Sequence, residues 1–198
     1  MEMDIRNGQP VGAFAWSLGS GLPRMSTILS TDPDEVMLGH ALAARVAEVT
    51  RLTAEAAVAT GLVELSSPRL AKPIFDVLNL TSRAIARFLI TGQGTTERER
   101  NFISRLGVIG ACYGVSVATM TRPYLLWRDT SLRILSEEVN RLGIGEAVSE
   151  VARKIIKSCA DTGILRTVRT YDYQMRLVSR TGGSHLTGNR VANMSIGR

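Results

Sequence analysis

The chain has 198 residues, enough for one domain with flexible ends, and 44% of them are hydrophobic, enough for a sizeable core. Only 5% are aromatic, so Leu, Ile, Val and Ala are expected to build that core. No apolar run approaches the roughly 20 residues of a membrane helix, and two cysteines are too few for a disulfide scaffold.

The formal net charge of +6 is uneven: residues 1–95 carry eight Lys or Arg against nine Asp or Glu, residues 96–198 sixteen against nine. A basic end can meet nucleic acid, an anionic membrane surface or an acidic partner; a solvated tail is the simpler expectation. Glu2 and Asp4 argue against an export signal, so a cytoplasmic location is expected.

Residues 1–31 are rich in Gly and Ser without a period and are expected to be disordered, with Met25 a candidate start. A first helix follows: Asp32 can cap it, Pro33 suits its first position, and Glu35 would complete a capping box. Leu38, Leu42, Val46, Val49, Leu52 and Ala56 form one stripe at spacings of three and four, predicting a continuous helix to Gly61.

Ser67 and Pro68 open a second helix to about Ile90, with Ile74, Leu78, Thr81, Ile85 and Phe88 or Leu89 inward and Pro73 near its first turn; Gly92-Gln93-Gly94 stops it. Thr96 and Glu99 form a capping box for a third helix, whose face is Phe102, Leu106, Ile109 and Tyr113 and whose end is Gly114. Ser116 opens the next segment. Pro123 is expected to break or kink it before a long helix to Leu142. Tyr124, Trp127, Ser131, Ile134 and Leu135 share one side of that helix, and Leu126, Thr130, Arg133 and Glu137 another.

After Gly143-Ile144-Gly145 a last helix is predicted over about 146–179, with Val148, Val151, Ile155 and Cys159 inward. Beyond them Ile164, Val168, Tyr171, Met175 and Val178 are spaced four, three, four, three, the seam of a coiled coil. No later segment is left to cover that seam, so a homodimer is expected. Residues 180–198 read as a disordered basic tail. The fold class is all-α, a helical bundle.

Catalytic patterns are sparse. The two histidines are His40, beside the apolar stripe, and His185, in the tail. Neither suggests a nucleophilic triad, and no zinc spacing occurs. No catalytic, cofactor-binding or metal-binding residue is assigned, no cofactor is expected, and the chain is not expected to be an enzyme. Gly92–Thr96 precedes a helix N-terminus but lacks the lysine and the preceding strand of a phosphate loop, so it reads as a helix–helix turn. Cys112 and Cys159 are expected to be buried small hydrophobes. Tyr124, Trp127, Arg128 and Asp129 form the densest polar-aromatic cluster. It reads as a packing lock, or as the rim of a small-molecule pocket or a signalling contact. Arg128 and Asp129 are expected to point apart and to pair with other helices.

Four runs carry a resemblance: Phe88–Glu99, Gly114–Ser116, Tyr124–Asp129 and Ser158–Asp161. In this order they resemble the RsbRD-type N-terminal domain of stressosome co-antagonists, PucR-type transcription regulators and actinobacterial GGDEF signalling proteins. The resemblance spans residues 34–178. It implies a globin-like bundle without haem, a sensor or regulatory role, and a C-terminal helix leading to an output module. Pro123 departs from the pattern, standing where a helix former is expected. Leu186-Thr187-Gly188-Asn189-Arg190 resembles the opening of a GGDEF domain with two residues missing, which implies a stand-alone or truncated sensor half. The partners implied are a second copy, an output-domain protein and an unidentified small ligand.

Two other readings compete. A haem or small-ligand globin sensor would need an axial ligand facing a pocket; His40 stands early for this, and Tyr113 or Tyr124 would be unusual. A nucleic-acid-binding regulator is suggested by the basic second half, without a helix-turn-helix signature or basic-aromatic stripe.

Overall fold

Six helices make up most of residues 32–62 and 67–181, the part of the chain that this computed structural model describes, and no strand occurs among those residues. They are α1 (Pro33–Ala44), α2 (Val46–Ala59), α3 (Pro68–Thr91), α4 (Glu97–Cys112), α5 (Val117–Leu142) and α6 (Glu146–Thr181). The all-α expectation holds. The expectations for residues 1–31, for the tail after Thr181, for His185 and for Leu186–Arg190 fall outside the described residues.

The stripe predicted as one helix is two. Arg45 leaves helical geometry, with φ −95° and ψ 2°, and its N–H turns back to Leu42 O. Neither Gly nor Pro marks the place, because tertiary forces make the break. α1 lies on α3 while α2 lies chiefly on α5, and the Arg45 guanidinium at the joint is held by carboxylates from two helices. Asp32 caps α1 by accepting from the Asp34 N–H at 2.9 Å. Ser67 makes no side-chain cap, although its carbonyl starts the α3 hydrogen bonds.

The Thr96–Glu99 capping box is present in both directions: Thr96 Oγ1 accepts from Glu99 N, and Glu99 Oε2 from Thr96 N. Arg87 reaches across from α3 and donates to both Glu99 oxygens at 2.8 Å. The cap therefore also ties α4 to α3, and Gly92, at φ +69°, turns the chain between them.

α5 stays helical through Pro123, contrary to the expected break. A proline removes one backbone hydrogen bond and crowds the carbonyl four residues back, a cost of about 3 kcal/mol. Here Pro123, Tyr124 and Trp127 are all buried on one side of α5. Two large aromatic side chains, each worth about 2–3 kcal/mol when fully buried, offset that cost.

The inward face of α4 lies one residue round from the predicted one. Ile103, Leu106, Gly107 and Gly110 are buried, Phe102 and Ile109 only partly, and Tyr113 is 54% exposed. The reason is contact distance. Packed on α6, α4 turns Gly107 toward the partner backbone: a Cβ there would lie 2.1 Å from Thr170 Oγ1, 2.2 Å from Thr167 O and 2.5 Å from Tyr171 N. A larger residue could not occupy that face at this separation.

Gly107→Ala should therefore cost about 3 kcal/mol, the upper end of overpacking, because the clashing atoms include backbone. That corresponds to a drop of roughly 6–12 °C in Tm for a domain of this size. Gly94→Ala, which has nothing within 4 Å of a new Cβ, should stay within about 0.5 kcal/mol. Equal thermal melts for the two variants would mean that α4 and α6 do not approach this closely.

Candidate functional site

The aromatic cluster of α5 divides in two. Tyr124 and Trp127 are 1% and 0% exposed and sit in the core. Arg128 and Asp129 lie toward solvent and pair with each other, Arg128 Nε donating to Asp129 Oδ1 at 3.0 Å. The expectation that these neighbours reach different helices is corrected: beyond the core edge each is the other's nearest opposite charge.

Tyr124 meets α6 where α6 has no side chain. Its ring lies against Gly163, where a Cβ would come within 2.3 Å of Tyr124 Cε1, and Thr167 Oγ1 donates to its hydroxyl at the long limit of 3.5 Å. Burial pushes the phenol up to about 12, with the Thr167 hydrogen bond opposing weakly. The hydroxyl therefore stays protonated throughout the physiological range and serves as a packing and hydrogen-bonding group.

Trp127 donates from Nε1 to Ser82 Oγ of α3 at 2.8 Å. Beside this bond a small, partly open cavity of about 20 Å³ is lined by Leu42, Val49, Ser82, Trp127, Ser131 and Ile156, among others. The large open space is elsewhere: a groove of about 1020 Å³ between α3 and α4, with Asn79, Arg83, Arg98, Phe102 and Arg105 in its walls. Asp76 in the same groove is paired to Lys72, and Glu99 to Arg87. Arg98 and Arg105 have no ion-pair partner among the described residues. Sequence reasoning assigned none of these groove residues.

The candidate axial ligands stand apart from both spaces. His40 is exposed on α1, Tyr113 is exposed just after α4, and Tyr124 is packed on Gly163. Cys159 is buried as expected, but Cys112, the last residue of α4, is exposed. The helix end places it beyond the packed face. No group of three or more His, Cys, Asp or Glu that could hold a metal ion occurs among the described residues, and no helix there is long and apolar enough to cross a membrane.

The predicted seam on α6 is partly covered by its own chain. Gly163, Thr167 and Thr170, spaced four and three, form the face buried against α4 and α5, and Ile164 packs at the core edge. Val168, Tyr171 and Val178 flank that face half-buried, and Met175 is 40% exposed. The expectation that nothing covers the seam is corrected, because α4 returns to lie along α6.

Charge concentrates at the α1–α2 joint. Glu138 of α5 is buried and accepts from Arg45 at 2.6 Å and from Arg141. Glu137 also accepts from Arg45, at 2.9 Å, and Glu48 completes the set. Arg141 first, then Arg45, holds the Glu138 carboxyl below the ordinary carboxylate range despite its burial. Comparison with protein families, with curated proteins and with solved structures finds no match to this chain.

A carboxylate whose pKa is depressed in the folded state adds stability above its unfolded pKa, and that stability is lost as pH falls through the folded value. Urea midpoints of the native chain should accordingly fall below about pH 4.3, the unfolded glutamate value. Glu138→Gln should be less stable at pH 7 by about 1.5–3 kcal/mol and lose less on acidification. Parallel pH curves for the two proteins would remove the network from the stability of the fold.

Proposed function

We propose that the chain is a non-catalytic sensor or regulatory module that works as a homodimer through α6. The observation that carries this reading is the set of apolar residues Val168, Tyr171, Met175 and Val178. They keep coiled-coil spacing on a helix whose other face is already used by α4 and α5. A second copy is the occupant that such spacing suits, since two identical seams interdigitate. The resemblance to RsbRD-type domains supports the same role and adds a globin-like arrangement, an output-domain partner and a cytoplasmic setting to the proposal. A signal that shifts the Tyr124–Gly163 crossing would slide or rotate α6 and so alter the paired helix beyond it.

Met175→Glu is the direct test. Its side chain is already 40% exposed, so the monomer tolerates a charge there, whereas a dimer seam would bury it unpaired. Light scattering should report a dimer for the native chain and a monomer for Met175→Glu, with unchanged circular dichroism. Tyr173→Glu, on another side of α6 and 64% exposed, should remain dimeric. A native chain that runs as a monomer at high micromolar concentration overturns the proposal.

A ligand-regulated version is favoured by the α3–α4 groove, whose volume is at the upper end for small-molecule sites. Arg98 and Arg105 beside the half-buried Phe102 suit an anion with a flat apolar body. Phenyl phosphate should shift the backbone resonances of α4 saturably, and Arg98→Gln with Arg105→Gln should weaken it about tenfold, one charge-assisted contact in free-energy terms. Shifts spread over the surface, or binding unchanged in the double variant, would reject the groove as the site.

A further inference from the structure

Several hydroxyls inside these helices follow one habit, which the buried Ser131 and Ser149 do not share. Thr53, Thr81, Ser82 and Ser136 each donate to the carbonyl four residues earlier, at 2.7–3.0 Å. Ser131 does not. It is 7% exposed, and its Oγ makes no hydrogen bond to a protein group, although the Trp127 carbonyl stands four residues back on the same helix. The side chain lines the small cavity at the meeting of α1, α2, α3, α5 and α6. A buried hydroxyl that forgoes its local acceptor needs another partner.

Two further facts identify that partner. The cavity measures about 20 Å³, above the roughly 10–15 Å³ that one water requires and too small for an organic molecule. The other hydroxyl-bearing residue in its lining is Ser82, whose Oγ donates to Leu78 O and accepts from Trp127 Nε1 at 2.8 Å. One lone pair of Ser82 stays available for a second donor. An apolar cavity of this size would stay dry; one with two hydroxyls on its wall offers a water the minimum of two partners.

We propose that this cavity is a binding site for a single ordered water that bridges Ser131 of α5 to Ser82 of α3. The water donates one proton to Ser82 Oγ and either donates to or accepts from Ser131 Oγ. It thereby extends the Trp127–Ser82 bond into a chain of hydrogen bonds between the two helices. Leu42, Val49 and Ile156 give the site apolar walls beside these two hydroxyls. The proposal does not depend on dimerisation or on a ligand in the α3–α4 groove.

Oxygen-17 relaxation dispersion of the water signal counts long-lived internal waters directly. The native chain should lose about one such water on Ser131→Val, which fills the cavity and removes the hydroxyl. An unchanged count overturns the proposal. Should Ser131→Val fail to fold, a crystal structure of the native chain decides. Density for a water within hydrogen-bonding distance of both Ser131 Oγ and Ser82 Oγ supports the site. A dry cavity, or a Ser131 hydroxyl turned onto the Trp127 carbonyl, overturns it.

Discussion

The crossing of α4, α5 and α6 sets the geometry of everything around it. Tyr124 can be fully buried only because α6 presents Gly163 beneath its ring, and α4 can close over α6 only because Gly107 brings no side chain to the contact. With the axes this near, shape decides more than hydrophobicity, since a single methyl at either glycine would lie within 2.5 Å of a neighbouring atom. The consequences spread outward. The position of α4 fixes which of its faces is inward, and the Arg87–Glu99 pair then ties that helix to α3.

The joint between α1 and α2 follows a different logic. An apolar stripe with one period would allow a straight helix from Asp32 to Gly61, and local propensity raises no objection. The bend exists because two halves of that stripe find different partners, α3 and α5, and because Arg45 gathers Glu48, Glu137 and Glu138 around the corner. Gly39 adds to it by letting α1 settle on Ala86 and Leu89 of α3. A bond network between residues some 90 positions apart leaves no trace in a window of 15.

Most helix ends were legible because their signals are local. Thr96 and Glu99 sit three apart, Gly92 and Gly143 each end a periodic run in the left-handed region, and Pro68 opens one. Pro123 misled because propensity was weighed without the burial of its neighbours. The face of α4 misled because large apolar residues were taken to mark the inside, when Gly107 and Gly110, three apart, marked a close helix crossing. The same reading applied to Gly163 and Thr167, four apart, would have located the inward face of α6. The cavity was out of reach: it depends on Ser82 and Ser131 meeting across 49 positions, and a serine in a helix carries no sign of where its hydroxyl turns.

The two cysteines have opposite fates, and this bears on how the molecule associates under oxidising conditions. Cys159 is enclosed and inert, whereas the Cys112 thiol faces solvent at the end of α4. Oxidation can therefore link two chains tail to tail through α4 by a covalent bridge. That pairing needs no apolar seam and is undone by a reductant. A dimer that survives excess thiol and one that dissolves in it would be two different assemblies of the same chain, one held by apolar packing and the other by a covalent bond.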